Sequence, residues 1–221
     1  MRSEPGSLDS NVLVETPFNR EATKHPASGQ TAQKAIVVGI AASAGGLAAL
    51  ERVLQGLPRD FPAPIVVVQH LDPTHESMLP QILARHTRLS VTSAKNHERV
   101  EDGHVYVAPP NHHVTIDGQR RISLSSEPLV HFVRPSADVL FESLAMEYGS
   151  SAIVIVLTGT GADGAAGAAI IKKSGGKVMV ENPRTAAFPG MPAATLAACD
   201  ADYVVDLDNV AKRLCEMIGV Q

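Results

Sequence analysis

The chain has 221 residues, 44% of them hydrophobic, with 4% aromatics, no Trp and a formal net charge of −4. That length suits one domain with a tail, and a core of Ala, Val, Ile and Leu suits a parallel sheet covered by helices. The absence of a dense Lys/Arg patch argues against nucleic acid, and no apolar run approaches the ~20 residues of a membrane span.

Residues 1–33 are polar and carry Pro5, Gly6, Pro17, Pro26 and Gly29 without sustained periodicity. They are expected to form a disordered tail ahead of a domain over 34–221. The N-terminus lacks a signal peptide's apolar core, so a cytoplasmic location is expected. Cys199 and Cys215 form no CxxC pattern and are expected to be reduced thiols of the core.

From Lys34 the pattern changes. A strand is predicted over 35–41, then a turn of small residues around Ser43, then a helix over 45–56 with Leu47, Leu50, Val53 and Leu54 at helical spacing. Ile65–Gln69 is a continuous apolar run typical of a buried strand, and His70 ends it. A helix over 76–86 follows, with Pro80 in its first turn. Between 90 and 134 lie short β-like pieces: Val91–Ala94, His104–Ala108, His113–Ile116 and Arg121–Leu124. Asp117-Gly118 marks a hairpin, so an antiparallel insertion or edge is expected there. Ser136 reads as the N-cap of a helix over 137–148. A strand over 152–157 leads into the small-residue loop Thr158–Gly164 and a helix that stops at Gly175-Gly176. A strand over 177–180, a helix over 191–198, a strand over 203–205 and a helix over 209–218 complete the chain.

Alternating strands and helices predict a doubly wound, mostly parallel α/β sheet flanked by helices, with a small antiparallel β insertion. Right-handed crossovers then bring all strand C-terminal ends to one edge. Ser43, His70 and the Asp163 loop each follow such an end, where open α/β sheets bind ligands.

Ser43 lies beside the free N–H groups of a helix start, the parts that a nucleophile and an oxyanion site require. Taken alone it is as well explained as a turn or capping serine. Ala41 stands where G-x-S-x-G needs its first Gly, and the order Ser43, His70, Asp163 is not that of an α/β-hydrolase. Gly39-Ile-Ala-Ala-Ser-Ala also lacks the second and third glycines of a dinucleotide loop. A neutral His70 at the neighbouring strand end would take the Ser43 proton and return it to a leaving alcohol. Asp163 reads either as a helix cap or as the acceptor of the His70 N–H. The chain has nine histidines, but no HExxH and no Cys/His cluster, so neither a metal nor a cofactor is expected.

Six ordered blocks resemble the catalytic domain of the bacterial chemotaxis protein-glutamate methylesterases. They are Val38-Gly-Ile-Ala-Ala-Ser-Ala-Gly-Gly46, Val67-Val-Gln-His-Leu71, Gly103-His-Val-Tyr-Val-Ala-Pro-Pro110, Arg134-Pro-Ser-Ala-Asp-Val-Leu-Phe141, Leu157-Thr-Gly-Thr-Gly-Ala-Asp-Gly164 and Phe188-Pro-Gly-Met-Pro192. The resemblance implies a serine esterase that hydrolyses glutamate methyl esters on chemoreceptor signalling helices, with deamidation of receptor glutamines as a companion activity. It implies Ser43 as nucleophile, His70 as general base and acid, and Asp163 as the residue that orients His70. Oxyanion donors are expected among the backbone amides of Ala44, Thr160 and Gly161. His131, Arg134 and Met191 are expected near the cleft, with Arg134 steering acidic receptor helices.

Two positions depart from the usual family pattern: Ala44 stands for a common Thr, and Thr160 for a common Met. The 33 residues ahead of the domain are too few for the family's usual phosphorylatable receiver domain. Activity is therefore expected to be constitutive or regulated from outside, by a separate response regulator or a chemosensory kinase. Two other readings stay open at this point: a non-catalytic receptor-binding module and an esterase for small molecules.

Overall fold

The computed structural model describes residues 35–70 and 77–220. The expected tail lies outside these residues. Nine strands and six α-helices alternate through the described chain in the order β1 (Val37–Ala42), α1 (Gly46–Gln55), β2 (Ile65–Gln69), α2 (Leu79–Leu83), β3 (Ser90–Ser93), β4 (His104–Val107), β5 (His113–Ile116), β6 (Ile122–Ser125), α3 (Ala137–Tyr148), β7 (Ala152–Val156), α4 (Ala165–Lys173), β8 (Lys177–Glu181), α5 (Gly190–Ala198), β9 (Tyr203–Val205) and α6 (Leu207–Ile218).

Seven strands form one sheet in the order β3-β4-β2-β1-β7-β8-β9, and every pairing in it is parallel. The apolar runs of β1, β2 and β7 are buried along their whole length, as a sheet covered on both faces requires. Side chains alternate between two cores. Val37, Ala41, Val66 and Val68 face the helices α3, α4 and α5. Val38, Ile40, Ile65 and Val67 face α1 and α6. The chain winds from β1 outward in one direction, then returns to β7 and winds in the other. The crevice beyond the ends of β1 and β7 is thus the topological switch point.

The middle segment corrects the antiparallel expectation for two of its four pieces. β3 and β4 join the main sheet as parallel strands, and only β5 and β6 form the antiparallel pair. No helix lies between β3 and β4, which is why the sequence reads as a meander: a parallel return ordinarily carries a helical crossover. Here the return over 94–103 is an extended loop that pairs with the hairpin instead. His97 N–H donates to Ile122 O, and Ile122 N–H to Glu98 O, both at 2.8 Å. The hairpin signal at Asp117-Gly118 marks a longer loop, whose left-handed residue is Arg120 (φ 61°). The second helix is also shorter than expected, five residues with Pro80 in its first turn; residues 71–76 lie outside the described residues.

Helix α3 is clamped between β1, the hairpin and α4 by one ring. Phe141 is fully buried, and it occupies the space that a Cβ on Gly39 or Gly167 would fill. Phe141→Ala leaves a cavity that neither the sheet nor α4 closes. It is expected to lower unfolding stability by about 3–5 kcal/mol, read from urea denaturation of the two proteins at one pH.

Candidate active site

Ala42 ends β1, Gln69 ends β2, and these two residues are register partners. The chain leaves both strands at the next residue. Ser43 and His70 therefore start as neighbours on one edge, about 4.8 Å apart by the spacing of adjacent strands. The His70 N–H donates to Ala42 O at 3.1 Å and keeps the two exits together. The buried Gln69 adds a second tie: its Nε2 donates to the carbonyls of both Ser43 (2.8 Å) and His70 (3.0 Å).

The turn at Ser43 enters α1 through a left-handed residue, Gly45, at φ 76°. A side chain there would be strained and would crowd Phe188, Ala187 and Thr158. The turn is stitched to the loop after β7. Ser43 N–H donates to Thr158 O at 3.0 Å, and Gly159 N–H to Phe188 O at 2.9 Å. The Thr158 hydroxyl donates to Ala44 O at 3.1 Å and accepts from Phe188 N–H at 2.8 Å. Behind it the buried Glu181 carboxylate accepts the Thr158 N–H at 2.7 Å. Among the described residues, the amides of Ala44, Thr160 and Gly161 meet no acceptor.

Asp163 is only 3% exposed. Its carboxylate accepts from Ser136 Oγ–H (2.6 Å), Ala137 N–H (2.6 Å) and Asp138 N–H (3.2 Å), and lies 2.8 Å from His70 Nε2. Ala137 and Asp138 open α3, so Asp163 caps that helix. The helix it precedes, α4, starts from left-handed Gly164 with no side-chain cap. Ser136 is the N-cap residue of α3 as expected, but its hydroxyl serves Asp163 and no amide of α3. Burial pushes the Asp163 carboxyl up, but hydrogen bonds from His70, Ser136 and Ala137 outweigh it and hold it below the ordinary value. With Nε2–H directed at Asp163, the free lone pair of a neutral His70 is on Nδ1.

Behind Ser136 lies a buried histidine. His113 Nδ1 accepts the Ser136 N–H at 3.2 Å, and its Nε2 faces Pro128 O at 3.1 Å. Asp138 is a second buried carboxyl. One oxygen accepts the Gly167 N–H at 2.7 Å; the other lies 3.2 Å from His131 Nε2 without hydrogen-bond geometry. Burial raises its carboxyl above the ordinary value against the Gly167 N–H, and the Asp163 charge adds to the rise.

A cleft of about 310 Å³ opens beside His70, with Leu129, Phe132 and Arg134 in its wall. Val130 and Val133 exchange backbone hydrogen bonds (3.2 and 2.9 Å) around His131 and Phe132. Both central residues are left-handed, at φ 50° and 65°, in a turn that ordinarily takes Asn-Gly. Such conformations cost roughly 1–3 kcal/mol each. Arg134 stands in the cleft wall among neutral oxygens. Its guanidinium donates to Asn111 Oδ1 (2.6 and 3.0 Å) and to the carbonyls of Ser126 and Glu127 (2.7 Å each), which pins the cleft loop. Met191 does not open onto the cleft: it is fully buried near the start of α5, with its sulfur against Gly159. Among the described residues no group of three or more His, Cys, Asp or Glu side chains could hold a metal ion.

The CheB methylesterase profile matches residues 38–214. The chain belongs to the CheB methylesterase family. The CheB methylesterase catalytic domain of Thermotoga maritima superposes with a TM-score of 0.80 at 35% identity, covering 82% of this chain and 98% of that one. A Methanosarcina acetivorans protein named protein-glutamate methylesterase/protein-glutamine glutaminase 2 is 39% identical over 219 residues, 96% of this chain and 60% of that protein. A Leptospira interrogans protein given the same activity name provisionally is 39% identical over 179 residues, 81% of this chain and 92% of that protein. The chain thus spans nearly all of one relative and about three fifths of another.

Within this CheB domain, Gln69, Ser136 and Asp138 join the site through contacts that no sequence pattern shows. A helix start that lacks its own capping bond was the available signal for Ser136, but it needs coordinates to be seen. The depressed Asp163 pKa predicts a pH effect. Its ionised form contributes stability that is fully present above the ordinary carboxylate pKa of ~3.9 and is lost as pH falls through the lower folded value. Ser136→Ala removes one donor to the carboxylate. It is expected to cost about 1.5–3 kcal/mol at neutral pH and to move the onset of acid unfolding to higher pH, measured by circular dichroism across a pH series.

Proposed function

We propose that the chain is a protein-glutamate methylesterase that hydrolyses γ-glutamyl methyl esters on chemoreceptors, with Ser43, His70 and Asp163 as its triad. The observation that carries this reading is the buried Asp163 carboxylate on His70 Nε2, at the strand exit next to Ser43. The names of the family relatives supply the substrate class. The same chemistry on a receptor glutamine releases ammonia in place of methanol.

In this mechanism Ser43 Oγ attacks the ester carbonyl carbon and its proton passes to His70 Nδ1. Asp163 holds the ring and stabilises the imidazolium that forms. The amides of Ala44, Thr160 and Gly161 face the developing oxyanion. The C–OCH₃ bond then breaks, and His70 gives its proton to the departing methoxide, releasing methanol. Water attacks the acyl-Ser43 carbonyl while His70 takes its proton. Return of that proton to Ser43 Oγ frees the glutamate. Ala44 and Thr160 leave this scheme intact, because their contributions come from the backbone.

Ser43→Ala is expected to lower methanol release from methylated chemoreceptor by about 10⁴-fold or more while the melting curve stays that of the wild type. Undiminished release would reject the assignment. Gln69→Leu leaves the Ser43 and His70 carbonyls without their shared donor. It is expected to reduce kcat/KM by about 10²-fold through misplacement of both side chains, measured in the same assay alongside a thermal melt.

A further inference from the structure

We infer that an apolar rim built on Phe132 and Leu129 binds the apolar surface of the methylated protein around its reacting ester side chain. The inference rests on the esterase reading and adds how that protein is recognised.

The chain is poor in aromatics, with no Trp and five Phe. Phe61 and Phe141 fill the cores, whereas Phe132 is 94% exposed and Phe188 is 43% exposed. Seven large apolar residues are exposed among the described ones, and four of them flank the Ser43–His70 edge. Leu129 (55% exposed) and Phe132 stand in the cleft wall with His70. Phe188 packs against Gly45 on the other side of Ser43, and Leu47 lies in the first turn of α1. Clustered exposed apolar residues mark interaction surfaces more than scattered ones do.

Phe132 is also held in place. The left-handed His131-Phe132 turn is closed by both Val130–Val133 hydrogen bonds. His131 reaches down to Asp138 at 3.2 Å, and Arg134 fixes the loop behind through four hydrogen bonds. A bulky residue in this backbone region is an outlier that its surroundings must enforce. The arrangement fixes the backbone from which the exposed ring projects, and a pre-ordered loop loses little freedom on binding. A glutamyl ester side chain fills the cleft itself. The molecule that carries it must lie across the rim, where Phe132 and Leu129 present exposed apolar groups. Recognition there is by apolar contact, not by charge.

The test compares methylated chemoreceptor with N-acetylglutamate γ-methyl ester, both read by methanol release. Phe132→Ala combined with Leu129→Ala is expected to raise KM for the receptor at least about tenfold, as loss of a central anchor does, with kcat within about threefold. KM for the small ester, which meets only the cleft face of these side chains, is expected to rise several-fold less than KM for the receptor, and Phe132→Leu alone to stay near wild type on both substrates. Raising NaCl from about 0.05 to 0.5 M is expected to change the wild-type receptor KM by less than about threefold, since apolar contacts are not screened. Equal KM changes on the two substrates, an unchanged receptor KM in the double variant, or a steep salt dependence would overturn the inference while the esterase reading stands. A wild type that releases no methanol from the receptor overturns both.

Discussion

One buried carboxylate ties the chemistry of this protein to its fold. Asp163 is shielded from solvent, so its charge is tolerable only because donors surround it. Two of those donors are the first amides of α3, one is the Ser136 hydroxyl, and His70 stands on the remaining side. The same anion that orients the imidazole therefore caps the start of a helix whose second turn is locked into the core by Phe141. A change that loosens α3 reaches His70 without passing through the cleft. The helix-start amides also favour negative charge at this point, so the dipole of α3 reinforces the ionised form.

The sheet supplies the complementary constraint. Parallel pairing of β1 with β2 and with β7 brings three strand ends to one edge, and the switch point leaves that edge open. Register decides the rest. Because Ala42 faces Gln69, the next residues on the two strands are the serine and the histidine. A slip of one residue would exchange every buried side chain of β2 with those of the opposite face, so the hydrophobic core protects the spacing of the two polar groups. Gln69 then uses its side chain on backbone carbonyls alone, which makes it part of the scaffold at the point where scaffold becomes site.

The features legible in the sequence were those with a local signature. Continuous apolar runs gave β1, β2 and β7, helical spacing gave α1, and the family blocks singled out Ser43, His70 and Asp163. Non-local pairing was harder. The direction of β3 and β4 depends on a return loop that uses the hairpin as its partner, a contact between segments distant in the chain. The capping bond is non-local too. Ser136 has the residue type and position of an N-cap, yet a carboxylate from the loop after β7 occupies the helix start and takes its hydroxyl as a donor. For Arg134 the sequence shows a cation and not the three neutral acceptor groups through which it also pins the cleft loop.

Two carboxyls meet behind His70, and their environments drive them apart. Asp163 receives enough hydrogen bonds to be held below the ordinary value; Asp138 is raised by burial and by the neighbouring Asp163 charge. Two adjacent buried anions repel, so a low value at one favours a high value at the other. The outcome is one carboxyl whose ionised form is favoured beside the imidazole and one whose ionisation burial opposes. His131 approaches the second one from the cleft side at 3.2 Å. The turn that carries Phe132 thus reaches Asp138, next to the Asp163 that bonds His70. Strain in that turn and order in the site share a support, which couples the cleft wall to the residues that would do the chemistry.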